Sequence, residues 1–265
     1  MSDIAITTRV QLAAYDSLVL VRRNFLVWFK VPAFIVFTVI QPVMFTLLFR
    51  YVFGGAIATG LPGGYASFLL PGVIGQTAAF TSFGTAISLA LEIQKGSIDR
   101  LRSMPIARSA VLLGRLGADL IRLLITILIM IAVGYAVGFR FSGGVWCALL
   151  MLVYALLMGL AMCCISAFIG LAIKDEESVQ AFGLIWVFPL TFVSSAFVPV
   201  SSMPGWLQAF ANNQPISQMV GAMRALALGH PAKAPYGNHL WVGPLWMLGI
   251  MAVFIPLAVR AYRRA

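Results

Sequence analysis

The sequence predicts an all-α polytopic membrane protein, and three observations predict it. Hydrophobic residues make up 61% of the 265 and charged residues only 10%, against about 45–50% and about 25% in ordinary soluble domains. The apolar residues gather into six long uncharged runs, at residues 32–49, 65–91, 123–139, 145–173, 178–200 and 240–259. None of the six shows the alternating, roughly ten-residue pattern of a membrane β-strand. Inside hydrocarbon a helix satisfies its own backbone, and about 20 residues at about 1.5 Å each cross a layer about 30 Å thick. Six spans put both termini on one side.

Residues 1–10, MSDIAITTRV, lack the short apolar core and cleavage site of a secretory signal, so the N-terminus is expected to remain. Residues 9–30 mix Val10, Leu12, Leu18, Val21, Phe25 and Trp28 with Arg22, Arg23 and Lys30. That pattern suits a helix lying in the headgroup layer, with basic and aromatic anchors, better than a seventh span.

The basic residues set the orientation. Arg9, Arg22, Arg23 and Lys30 precede span one; Lys95, Arg100, Arg102 and Arg108 lie in the second connection, Lys174 in the fourth, and Arg260, Arg263 and Arg264 at the end. The odd-numbered connections hold Arg50, Arg140, Arg224 and Lys233. Positive residues stay inside, so the termini and the even connections are expected in the cytoplasm. A net charge of +10 is thereby explained without nucleic acid, for which no binding motif is present.

Residues 92–109, EIQKGSIDRLRSMPIARS, carry six charges after 27 uncharged residues. Burying six charges at mid-bilayer would cost on the order of 15–20 kcal/mol, so the stretch stands in water. Gly96 lets the chain turn, Ser97 can cap a helix, and Pro105 keeps that helix from continuing. Ile98, Leu101 and Met104 then share one face, and Asp99, Arg100, Arg102 and Ser103 cover the rest. A helix of two turns is unstable alone. Either a protein groove receives it, or it is a solvated basic loop; the residues alone leave both open.

Span three is expected to begin early, with Ser109 as cap and Arg115, Asp119 and Arg122 on one helix face as an ion-pair ladder. In span four, Cys163 and Cys164 are neighbours about 100° apart around the helix, and with Cys147 they read as buried thiols. Asp175 is placed to cap span five, with Glu176 and Glu177 complementing the helix N-terminus. In the fifth connection, residues 201–239, Ile216, Met219, Val220, Met223 and Leu226 repeat at helical spacing. Breaks at NNQP and after Gly229 make this two short helices dipping into the outer leaflet.

Catalytic chemistry is sparse. His230 and His239 have no neighbouring carboxylate in sequence, and there is one acidic cluster where a metal-diphosphate enzyme would want two. No ionisable residue sits in the middle of a predicted span, unlike ion-coupled carriers. No GxxxxGK[ST] loop is present either, so an ATPase would be a separate polypeptide.

The stretches GSIDRLRSMPIARSAVLLGRLGADL (96–120), IKDEESVQAFGLIWVFPLTFVSSAFVPVSSMPGWLQAFANNQPIS (173–217) and ALALG (225–229) together resemble the daunorubicin-resistance type of ABC-2 exporter permease. The likeness runs in order along essentially the whole chain and is most specific over residues 188–215. It implies one permease domain, 1–265, in a bacterial plasma membrane: six transmembrane helices, an N-terminal interfacial helix, a short cytoplasmic coupling helix and short outer re-entrant helices. It also implies a second permease copy, identical or sister, and two ATP-binding-cassette subunits that hold ATP and magnesium, with no cofactor on this chain. By the same resemblance the coupling helix comprises Gly96, Ser97, Ile98, Asp99, Arg100, Leu101, Arg102, Ser103, Met104 and Pro105. A second ATPase contact would be Lys174, Asp175, Glu176 and Glu177. Spans two and five would line the pathway, through Gln76, Thr77, Thr81, Phe188, Thr191, Phe192 and Ser195. The expected cargo is a hydrophobic or amphipathic drug, antibiotic or lipid. Export of glycans or lipid-linked polymers is the competing transport reading, and an intramembrane lipid-modifying enzyme or scaffold the reading of another class.

Overall fold

The computed structural model describes residues 15–26, 30, 36–55, 57, 64–96, 108–229 and 238–264. Within them the regular structure is helical, and no strand occurs. Helix α1 covers residues 15–26, and α2 covers residues 36–53, with π-helical turns at Val36–Ile40 and Phe49–Phe53. Then follow α3 (Gly64–Gln94), α4 (Arg108–Ala136), α5 (Gly144–Ile173), α6 (Glu176–Phe192), α7 (Gly205–Asn213), α8 (Pro215–Ala227) and α9 (His239–Arg264).

Four stretches are long and apolar enough to cross a membrane: Gly64–Gln94, Ala110–Ala136, Gly144–Ile173 and His239–Tyr262. The chain is a multi-pass membrane protein. Thr38–Phe53 is a shorter apolar helix, and α6 has 17 residues.

The core is built around α5, which packs against α3, α4, α8 and α9. Small residues allow this approach, as in membrane bundles generally. A Cβ on Gly170 would overlap the backbone oxygen of Ala86 in α3, and one on Gly159 would run into Leu123 of α4. Cys163 and Cys164 are buried in α5 as free thiols, as their place in the sequence suggested, whereas Cys147, in the first turn of α5, is only partly buried. Helix α1 lies against α4 through Leu20 and Val21, seated on Gly114 and Gly117, while Tyr15, Leu18 and Val19 are exposed. One apolar side buried and one exposed is the pattern an interfacial helix requires.

Two helix ends fall short of the sequence expectation. Helix α4 stops at Ala136 rather than 139, because Gly138 takes φ +100° and the Phe139 N–H turns back to the Gly134 carbonyl at 2.8 Å. Helix α6 stops at Phe192, eight residues short of the expected end of span five. The Ser194 hydroxyl donates to the Thr191 carbonyl at 2.5 Å and accepts from the Ala196 N–H at 3.1 Å, which closes the last turn and sends the chain off the helix axis.

The two short helices expected after span five are present. Helix α7 leaves Trp206 and Phe210 exposed. In α8, Ile216, Met219, Val220, Met223 and Leu226 are all buried, within the bundle against α3, α5 and α9. The periodic residues therefore meet protein on every side.

Candidate functional site

A cleft of about 420 Å³ runs along α3 between α2, α4 and α6. Its wall includes Gln76, Thr77, Thr81, Ser88 and Leu91 of α3, Gln41 and Phe45 of α2, Arg115 and Arg122 of α4, and Glu176 and Gln180 of α6. From Leu91 to Gln76 the helix rises about 22 Å, so the cleft reaches from one end of the bundle well into its apolar thickness.

The seven predicted lining residues divide into four groups. Gln76, Thr77 and Thr81 lie together in the cleft. Phe188 and Phe192 stack at 5.1 Å on the exposed side of α6, with Phe188 edge-on to the cleft residue Phe80 at 5.3 Å. Thr191 is turned into the bundle, fully buried, its hydroxyl bonded to the Val187 carbonyl at 2.8 Å. Ser195 lies in a different cavity, described below.

The ion-pair ladder expected on α4 is present and reaches further than its own helix. Asp119, 2% exposed, pairs with the Nε of Arg115 at 3.3 Å and with the Arg122 guanidinium. It also accepts the Thr85 hydroxyl of α3 at 2.6 Å. Both arginines face the cleft, which sequence reasoning, treating the ladder as purely structural, did not anticipate.

At the same end of the bundle, α5 terminates on Lys174, a non-glycine residue at φ +63°, and Asp175 caps α6 through the Ser178 N–H at 2.8 Å. These hydrogen bonds from Ser178 hold the Asp175 carboxyl below the usual carboxylate range. The Gln94 side chain at the end of α3 reaches Asp175 at 3.4 Å, so the segment holding Lys174, Asp175, Glu176 and Glu177 sits beside the start of the charged turn. Gly96 makes that turn at φ +63°, its N–H bonded to the Ile93 carbonyl at 2.9 Å. The rest of the predicted coupling helix, residues 97–105, lies outside the described residues.

The opposite end holds the residue that sequence reasoning missed. Arg224 of α8 is 1% exposed. Its Nε donates to the Phe68 carbonyl at 2.9 Å, one terminal nitrogen to the Ser195 and Ala196 carbonyls at 2.6 and 2.9 Å, and the other to the Ser195 hydroxyl at 3.3 Å. The guanidinium carbon stands 3.6 Å from the Phe68 ring centre, a cation–π contact. Backbone that leaves a helix inside a bundle must find polar partners, and here α3 and α8 supply them. Gln214 donates to the Val193 carbonyl at 2.9 Å, Ser217 accepts the Ser195 N–H at 2.9 Å, and Tyr65 donates to the Phe197 carbonyl at 3.0 Å. Pro71, with no N–H to give, loosens the carbonyls one turn before it, and Gly72 has no side chain where the Ala196 oxygen lies. A polar cavity of about 410 Å³ adjoins this clasp, bounded by Ser195, Gln208, Asn212, Ser217, Arg224 and His239. The available signal was Pro71-Gly72 within an apolar run and a lone arginine within an apolar helical repeat.

Comparison with known proteins agrees with this architecture. Residues 15–228 match the family described as ABC-2 type transporter. The chain is 34% identical to the daunorubicin resistance ABC transporter permease protein DrrB1 of Streptomyces coeruleorubidus, over 88% of this chain and 80% of that one. It is 31% identical to the probable doxorubicin resistance ABC transporter permease protein DrrC of Mycobacterium tuberculosis, over 90% of this chain and 84% of that one. ABC transporter G family member 20 of Dictyostelium discoideum is 28% identical over 74% of this chain but only 27% of its own length. With a helical multi-pass bundle, a cleft along its longest helix and these relatives together, the chain belongs to the ABC-2 type transporter family, as the membrane permease subunit of an ABC transporter.

Proposed function

We propose that this chain, a single permease domain, works as one half of the membrane pore of an ATP-driven exporter of hydrophobic or amphipathic compounds. A second permease copy completes the pore, and separate ATP-binding-cassette subunits hold and hydrolyse the nucleotide. Six spans cross the plasma membrane of a bacterium: α2 is the first and α6, continued by its unwound end, the fifth. Both termini lie in the cytoplasm. The cargo class rests on the relatives named for daunorubicin and doxorubicin resistance and on a cleft whose apolar wall is broken by a few amides and hydroxyls.

The observation that carries the reading is the position of the cleft. It opens at the end of the bundle where Gly96 begins the charged turn and Asp175 meets Gln94. Cassette closure beneath residues 96–105, with the turn at 174–177 as a second contact, would push on α3, α4 and α6, the helices that form the cleft wall. Gln76, Thr77 and Thr81 then meet cargo from α3, while Phe188 and Phe192 present an aromatic face beside it. Movement of these walls converts an inward-open cleft into an outward-open one.

The test is the double charge reversal Arg100→Glu, Arg102→Glu, made in the permease co-assembled with its cassette partner. Cargo efflux and permease-dependent stimulation of ATP hydrolysis should both fall, with membrane insertion unchanged. Efflux and hydrolysis at wild-type levels would remove residues 96–105 from the coupling role.

A further inference from the structure

We propose that the inner end of the cleft recognises the acidic headgroup of an amphipath, through the guanidinium groups of Arg115 and Arg122. The proposal rests on the cleft being the cargo path and names the chemistry that path selects. Both arginines line the cleft, whereas Asp119, which holds them, is buried behind them and does not. One carboxylate, Asp119, is shared between the two guanidinium groups, so the α4 side of the cleft is its positive side, and Glu176 is the acidic residue on the α6 side. The Nε of Arg122 is buried without a hydrogen-bond partner among the described residues. Arg115 is held by Asp119 and by the Gly84 carbonyl at 3.4 Å, which fixes its guanidinium along this side of the cleft.

The remaining lining suits a headgroup joined to an apolar body. From Gly84, at the level of Arg115, to Gln76 the helix rises about 12 Å, and Phe45, Phe80 and Phe83 line the cleft. A volume of about 420 Å³ lies within the usual range for small-molecule sites. Planar guanidinium groups bind phosphate and carboxylate with charge-assisted hydrogen bonds. The acidic group in this wall, Glu176, lies on α6 in the first helical turn, where the helix N-terminus already favours a negative charge.

The test uses the permease–cassette complex in nanodiscs of phosphatidylcholine. Dodecyl phosphate and dodecyltrimethylammonium, below their micellar concentrations, are titrated while binding is followed by thermal stabilisation. Dodecyl phosphate should bind about tenfold tighter or more, the worth of one charge-assisted hydrogen bond. Arg122→Gln should remove that preference, Arg122→Lys should keep part of it, and Glu176→Gln should retain or strengthen it. Equal binding of the two probes, or loss of binding on Glu176→Gln with Arg122→Gln unaffected, would overturn the proposal. If Arg122→Gln does not fold, the Arg122→Lys and Glu176→Gln pair still decides it, because a cation site and an anion site move them in opposite directions. Nanodiscs containing phosphatidylglycerol identify the source: competition with dodecyl phosphate means that the bilayer supplies the headgroup, and no competition means that the cargo does. Binding needs no transport, so a failed efflux assay with intact dodecyl phosphate preference would sink the exporter reading and leave this site standing.

Discussion

Two buried ionic sites hold the bundle at its opposite ends, and they solve the same problem differently. At the end nearer Asp175, Asp119 takes Arg115, Arg122 and the Thr85 hydroxyl, so charge meets charge and the charged partners lie three and four residues apart on one helix. At the opposite end Arg224 is bound to carbonyls of α3 and of the unwound segment after α6, 28 to 156 residues away. The first site stiffens one helix and ties it to a neighbour. The second joins three elements that would otherwise have backbone polar groups unpaired inside the bundle. An arginine serves the second purpose because its planar fork spreads five donors over three nitrogens and so reaches acceptors set apart from one another, whereas a lysine offers three donors from a single nitrogen.

This comparison predicts unequal sensitivities. The largest loss should follow Arg224→Ala, which strands the Phe68, Ser195 and Ala196 carbonyls at about 1–3 kcal/mol each. Folded yield in detergent and the thermal midpoint should fall further than for any change at the Asp119 site, with Arg224→Lys intermediate. If Arg224→Lys matched wild type, the multi-acceptor geometry would be irrelevant. Next comes Asp119→Asn, at about 3 kcal/mol for a broken buried pair, reduced because both arginines are partly exposed. A double-mutant cycle with Thr85→Val should give a coupling of about 1 kcal/mol, and zero coupling would detach α3 from the site.

Gly72→Ala sharpens the contrast. Its new Cβ would overlap the Ala196 backbone oxygen, so α3 and the clasp must part, at about 1–3 kcal/mol. Gly84→Ala, with open space at the same position on the other half of α3, should be neutral or slightly stabilising. The smallest effect belongs to Asp175. Its folded carboxyl titrates below the ordinary value of 3.8, so its contribution is present above that value and is lost as pH falls through the folded pKa. The stability gap between wild type and Asp175→Asn should therefore be constant near neutrality and close below about pH 4. A gap that widened in acid would reverse the assigned sign.

The same contrast explains what was legible in the sequence. Runs at 65–91 and 145–173 mark α3 and α5 to within three residues of their ends, since length and apolarity alone define them. Asp175 as a cap and the ladder on α4 were readable because both are local. The end of α6 was not, because the partners that stabilise its unwinding are 21 to 29 residues further on, in α8 and at its N-cap. Of the lining candidates, the polar residues of α3 converge on one cleft, whereas Thr191 points into the core. Threonine in an apolar run gives the same sequence signal whether it faces cargo or bonds its own helix. That Arg115 and Arg122 face the cleft depends on where α2 and α6 pack, which no helical spacing on α4 encodes.

The most direct measurement is transport by this chain in proteoliposomes, assembled with its cassette subunit in wild-type form, in hydrolysis-deficient form, or not at all. A set of fluorescent amphipaths, anionic, neutral and cationic, would be followed together. Accumulation of at least one of them only with the hydrolysing partner is the predicted result. Equal accumulation with the inactive partner, or with none, would contradict the claim that this permease moves its cargo by work delivered from outside itself.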